Sequence, residues 1–199
     1  MSEGGGVLHH TGHFVANPAN LITVARIAAS PIPFAMILAS RDTGGASWGA
    51  FTLGWIFAAT DVLDGALARR YNMVSRSGAF LDPLADKIVV LGAMFCLVAV
   101  DRYSWVPVAL ITLRELLITG FRSYWVRKNR VVPARTLGKY KSIVQGLALQ
   151  AALFPPLQDS NTVVNLALWM AVAFTLFSGW LYLMDGSAAT RATGNLNER

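Results

Sequence analysis

Cysteine is nearly absent: Cys96 is the one thiol in 199 residues, and it sits inside an apolar run. A single chain can therefore build neither a disulfide framework nor a cysteine-based zinc site, and the redox compartment is unreadable. Charge is also scarce, at 14% of residues against ~25% in soluble domains, while apolar residues make up 54%. Acidic residues are fewest of all, 11 against 17 basic ones, for a formal net charge of +6. A basic balance can mark a nucleic-acid binder, but these cations lie between long apolar runs. Such placement points to membrane orientation and anionic substrates, and no nucleic-acid partner is expected. Residues 1–16 lack a basic n-region and a small-residue cleavage site, so no signal peptide is expected there. Internal repeats and low-complexity stretches are missing beyond the Gly-rich start.

What is present is a series of apolar segments. About 20 apolar residues cross a bilayer core of ~30 Å. Six segments qualify, near 20–40, 48–70, 79–100, 105–128, 137–157 and 162–184. The expectation is an all-α integral membrane protein of six transmembrane helices. It comprises a flexible segment 1–16, one helical domain over 17–186 and a cytoplasmic C-terminal tail over 187–199. Asn17 and Pro18 fit a helix start, and Pro31 with Pro33 should kink the first helix. The cations Arg69, Arg70, Arg76, Arg127, Lys128, Arg130, Arg135, Lys139 and Lys141 flank the second and fourth connections. The other three connections carry only Arg41 and Arg102. The positive-inside rule then puts the even connections and both termini in the cytoplasm. With no eukaryotic targeting peptide in view, a bacterial cytoplasmic membrane is the expected location. The six tryptophans mostly fall near the expected interfaces, as in an aromatic belt.

Ionised side chains within membrane helices cost several kcal/mol and are functional candidates by default. Four of the 11 acids fall in Asp61-Val-Leu-Asp64-Gly65-Ala-Leu-Ala68-Arg69 and Gly78-Ala-Phe-Leu-Asp82-Pro-Leu-Ala-Asp86. Asp61 and Asp64 are spaced i, i+3, and Asp82 and Asp86 i, i+4, so each pair shares a helix face. A short turn over 70–78 joins the two helices, which sets both pairs within ~10–15 Å of the cytoplasmic helix ends at 1.5 Å rise per residue. Converging carboxylates raise one another's pKa unless compensated. Two divalent cations, Mg²⁺ or Mn²⁺, are one compensation, since hard oxygen ligands suit them and such a pair can clamp a phosphoryl group. Pairing to Arg69, Arg76 or Lys87 is the other. Gly65 and Ala68 remove bulk where a large ligand would approach, and Arg69 can reach a phosphate.

The run fits D-x2-D-G-x2-A-R-x8-G-x3-D-x3-D with every spacing intact. It resembles the signature of the CDP-alcohol phosphotransferases. The likeness extends to Asn17-Pro-Ala-Asn20-Leu-Ile-Thr23-Val-Ala-Arg26 at the first helix. Arg114-Glu115 with Gly138-Lys139-Tyr-Lys141 looks like members that use glycerol 3-phosphate. The resemblance implies six helices around a cytoplasm-facing polar cavity, usually in a homodimer. It implies that Asp61 and Asp82 bridge two metals, that Asp64 completes one site, and that Asp86 completes the other and accepts a proton. Gly65, Arg69 and Ser75 would contact the CDP part, with Asn20 to Thr23 beneath the cytidine. CDP-diacylglycerol would be the donor. Glycerol 3-phosphate is the leading acceptor, with inositol phosphate or phosphatidylglycerol as rivals. From a different class, an acid-lined helical bundle could carry divalent cations across the membrane.

Arg114, Arg122, Lys139 and Lys141 are the cations outside the signature that suit an acceptor phosphate. Residues 114, 118 and 122 share a helical face, and Lys139 opens the following helix. Arg122 also fits orientation or snorkelling near a helix end. Arg114 is deeper, and pairing to Glu115 looks awkward because adjacent residues diverge on a helix. Lys87 suits an offset to the carboxylates. His9, His10 and His13 fit either a metal site or a flexible terminal stretch.

Overall fold

The computed structural model describes residues 18–70, 78–127 and 137–197, with side chains for 23–63, 85, 87–121 and 140–184. Its α-helices are α1 (Pro18–Ala29), α2 (Pro31–Ala39), α3 (Trp48–Arg70), α4 (Gly78–Ala99), α5 (Trp105–Arg127), α6 (Leu137–Leu153) and α7 (Asn161–Asn197). Short 3-10 turns occupy Arg41–Thr43 and Pro155–Leu157, and no strand forms among the described residues. The residues proposed as helix N-cap at Asn17 and as metal-binding histidines lie outside the described residues.

The first apolar segment is two helices rather than one kinked helix. Pro31 and Pro33 have no N–H to give to the preceding turn, so the hydrogen-bond ladder is interrupted at Ser30. The Ser30 hydroxyl compensates by donating to the Ile27 carbonyl at 2.7 Å. At the other end of the chain, α7 runs on to Asn197, well past the expected end of the sixth segment at 184.

Helices α3 and α5 have 23 residues each, about 35 Å at 1.5 Å per residue, which exceeds a bilayer core of ~30 Å. Asn161–Met184 within α7 is both long and apolar enough to cross a membrane. In α3, α4 and α5 the apolar stretch is interrupted by the charged residues that form the candidate site.

Helix α4 packs against α1, α2, α5 and α6, while α7 packs against α5 and α6 and α3 against α1, α2 and α6. Fully buried Ile37, Met94, Leu97, Val108, Ile111 and Leu168 form the largest part of the core. Ala50, Ala93, Ala148, Ala152 and Ala171 between them let the backbones approach closely. This apolar core occupies one end of the bundle, beside connections 40–47, 100–104 and 154–160.

Arg102 gathers that end. Its guanidinium donates to the carbonyls of Leu157 and Gln158 at 2.5 Å each and to the Asn161 side chain at 2.8 Å. Its stem lies against Gly44, whose φ of +61° belongs to the left-handed region. The three connections expected to share a side of the membrane thus meet in one place. Next to it, buried Tyr103 donates from its hydroxyl to the Ala148 carbonyl at 2.7 Å. Burial pushes that phenol far above its ordinary pKa, so it remains a donor at every working pH.

The outside of the bundle is apolar. Trp105, Leu116, Leu117, Leu166, Phe177 and Trp180 are each more than half exposed. Soluble monomers rarely expose so many large apolar side chains, and lipid chains are the natural cover for them.

Arg102→Met should remove three charge-assisted hydrogen bonds, two of them to part-buried carbonyls, costing roughly 2–5 kcal/mol. For a chain of this size the unfolding midpoint in detergent should fall by about 5–15 °C. An unchanged midpoint would show that Arg102 does not hold the connections together.

Candidate active site

Among the described residues, two polar assemblies bear on the candidate site. The first joins α1 to α3. Arg26, buried to 6% side-chain exposure, forms an ion pair with Asp61, whose side chain is 49% exposed. The carboxylate therefore faces open space while its partner approaches from the packed side. Thr23, one turn earlier than Arg26, is also buried. Helix α1 packs against both α3 and α4, the two helices that carry the aspartate pairs.

The second assembly centres on Glu115, buried midway along α5. One of its oxygens takes an ion pair from Lys141 on α6 and another from Arg114 at 3.0 Å. Its second oxygen is 3.9 Å from the Lys87 ammonium on α4. Lys87 also donates to the Thr119 hydroxyl, which in turn donates to the Glu115 carbonyl at 2.6 Å. The other arm of Arg114 donates to Ser178 on α7 at 2.8 Å, and Ser178 donates to the Thr175 carbonyl at 3.1 Å. Gln145 on α6 completes the layer by donating to the Thr175 hydroxyl at 2.8 Å. A buried carboxylate without cations would cost several kcal/mol, and here each neighbouring helix supplies part of the compensation.

This corrects one sequence expectation and adds a partner to another. Arg114 and Glu115 do pair, because the long guanidinium side chain curls back across the divergence between adjacent residues. Lys87, read as an offset for the aspartates, has Glu115 among its partners. Two participants escaped the sequence reading as site residues. Arg26 appears there only within the opening run of the first helix, and Glu115 only as part of a matching dipeptide. The signal that could have found both is an ionised residue deep in an apolar segment.

The remaining site residues are placed by backbone. Asp61, Asp64, Gly65, Ala68 and Arg69 lie on α3, Asp82 and Asp86 on α4, Asn20 and Thr23 on α1, Arg122 on α5, and Lys139 and Lys141 on α6. The side chains of Asn20, Asp64, Ala68, Arg69, Asp82, Asp86, Arg122 and Lys139 are outside those described, as is Ser75 altogether. Among the described residues no three His, Cys, Asp or Glu side chains gather as a metal site. The aspartate set of α3 and α4 nonetheless has the chemistry for one. Its donors are hard carboxylate oxygens, and the one described member, Asp61, is accessible.

The class defined by these features is a membrane-associated helical protein with acidic pairs on two helices and a buried cationic layer beside them. The chain belongs to the CDP-alcohol phosphatidyltransferase family, whose model matches residues 16–189. It is 40% identical over 196 residues to CDP-diacylglycerol–glycerol-3-phosphate 3-phosphatidyltransferase of Bacillus subtilis, covering 89% of this chain and 98% of that one. A probable phosphatidylglycerophosphate synthase of Mycobacterium tuberculosis is 35% identical over 191 residues, covering 92% of this chain and 87% of the relative. A Rickettsia bellii protein with the same name as the Bacillus relative is 33% identical over 180 residues, covering 83% and 93%. Family membership favours the transferase over the cation-transporter alternative.

The geometry around Gly179 generates a direct check. A Cβ there would stand 2.8 Å from Arg114 Nε and 3.3 Å from its Cγ. Gly179→Ala should displace the guanidinium and break its bond to Ser178, a loss of about 1–2 kcal/mol. Ser178→Ala should cost a similar amount, and the double variant little more than either alone, because both remove one interaction. Full additivity of unfolding midpoints would contradict the assignment.

Proposed function

We propose that this chain transfers a phosphatidyl group from CDP-diacylglycerol to glycerol 3-phosphate, giving phosphatidylglycerophosphate and CMP. The observation that carries the reading is the 40% identity, over 89% of the chain, to a relative named for that reaction. The intact acidic signature, the buried Lys141 and the part-buried Arg114 support it.

In this reading the helices span a bacterial cytoplasmic membrane six times, with α1 and α2 together forming the first crossing. The polar cavity opens to the cytoplasm, and two copies of the chain associate. The lengths of α3, α4 and α5 and the apolar outer surface agree with that arrangement. The nucleotide end of the donor lies at headgroup level while its acyl chains extend into lipid.

Asp61, Asp64, Asp82 and Asp86 would hold two Mg²⁺ or Mn²⁺ ions. When bound, these would neutralise the pyrophosphate and polarise the lipid-linked phosphorus. The chain's own residues do the rest. Arg69, Gly65, Ala68 and Ser75 receive the CDP moiety, with Asn20 and Thr23 beneath the cytidine. Arg114, Arg122, Lys139 and Lys141 hold the acceptor phosphate and direct its hydroxyl toward Asp86. The hydroxyl oxygen bonds to the lipid-linked phosphorus, the bond from that phosphorus to the CMP oxygen breaks, and Asp86 takes the hydroxyl proton. Arg69 stabilises the departing CMP.

Asp61→Asn and Asp82→Asn should abolish CMP release from CDP-diacylglycerol and glycerol 3-phosphate and weaken Mn²⁺ binding. Asp86→Asn should lose turnover while still binding CDP-diacylglycerol. Full activity of any of the three at saturating Mg²⁺ or Mn²⁺ would remove the aspartates from the mechanism.

Arg114→Ala tests the acceptor side. One charge-assisted contact to a buried phosphate is worth roughly 1.5–3 kcal/mol, so use of glycerol 3-phosphate should weaken by about one to two orders of magnitude. Use of CDP-diacylglycerol should change little. A folded Arg114→Ala protein with unaltered apparent affinity for glycerol 3-phosphate would contradict the assignment.

A further inference from the structure

We infer that Glu115 is a positioning residue for the acceptor, tying the cations that receive its phosphate to the helix that carries the reacting carboxylates. The inference rests on the glycerol 3-phosphate reading above. Glu115 is an anion, so it would repel a phosphate and has no part as a direct ligand. Its importance lies in what it holds.

The same oxygen of Glu115 binds Arg114 and Lys141, two of the cations assigned to the acceptor phosphate. The other oxygen faces Lys87, the residue directly after Asp86 on α4. One carboxylate thereby links α4, α5 and α6. Arg114 extends the link to α7 through Ser178. A lysine ammonium on its four-carbon stem has many placements, and a guanidinium has several. Contact with a fixed buried carboxylate selects one for each, before any substrate arrives.

That selection matters because the acceptor is held at one end and reacts at the other. If Arg114 and Lys141 shift relative to α4, a phosphate bound to them carries its hydroxyl out of reach of Asp86. Displacements of an ångström in such an arrangement lower rates by large factors. The donor's nucleotide is assigned to residues of α1, α3 and the connection after α3, and its pyrophosphate to the aspartates of α3 and α4; Glu115 orients Lys87, Arg114 and Lys141 instead, so donor binding should change little. A residue that merely glued helices together would impair both substrates alike.

The test is steady-state turnover of purified wild type, Glu115→Gln and Glu115→Asp, following CMP with each substrate varied in turn. Glu115→Gln keeps the shape and removes the charge. It should raise KM for glycerol 3-phosphate at least ten-fold, with KM for CDP-diacylglycerol held within two-fold. Glu115→Asp keeps the charge on a shorter arm and should fall between wild type and Glu115→Gln. Should Glu115→Gln not fold, the same split in Glu115→Asp decides the matter. An unchanged KM for glycerol 3-phosphate in folded Glu115→Asp, or an equal rise in both KM values, overturns the inference while leaving the acceptor assignment standing. A wild-type protein that releases no CMP with glycerol 3-phosphate overturns both.

Discussion

A carboxylate in the middle of an apolar helix has to find positive charge, and Glu115 finds it on three sides. Lys87, Arg114 and Lys141 converge on it from α4, α5 and α6, and Ser178 of α7 holds the far arm of Arg114. Breaking such a cluster leaves uncompensated charge where water does not reach, a penalty of roughly 3–5 kcal/mol. The relative placement of four helices is therefore coupled to one ionic contact set. Those helices include the one carrying Asp82 and Asp86.

The bundle is divided along its length by this constraint. Beside connections 40–47, 100–104 and 154–160 the interior is close-packed Ile, Leu, Met and Ala, closed by Arg102. Farther from those connections, the described side chains include two ionic assemblies, Arg26 at Asp61 and the Glu115 layer. The first half supplies rigidity through packing and satisfied carbonyls. The second carries the groups that suit a pyrophosphate donor and a phosphate acceptor, as the proposed function requires.

Much of this was legible beforehand. Apolar runs of near-bilayer length gave α3, α4 and α5 to within a residue or two. The aspartate pairs announced themselves by spacing and by their cost in an apolar setting. The break at Ser30 was read as a bend because two prolines indicate an interrupted ladder without saying whether the axis continues. Arg26 and Glu115 were harder. Sequence gives the period of a helix but not which neighbour each face meets, so the partner of a lone buried charge is set only by packing. The Arg114–Glu115 pair was misjudged for a related reason: Cβ directions diverge between adjacent residues, but a guanidinium on three methylenes is long enough to return.

The most direct test of the account is an acceptor screen with purified protein and CDP-diacylglycerol, measuring CMP with glycerol 3-phosphate, inositol phosphate or phosphatidylglycerol supplied singly. The account predicts CMP with glycerol 3-phosphate, formed together with an equal amount of phosphatidylglycerophosphate, and only background with the other two. CMP release with phosphatidylglycerol or inositol phosphate, and none with glycerol 3-phosphate, would contradict it.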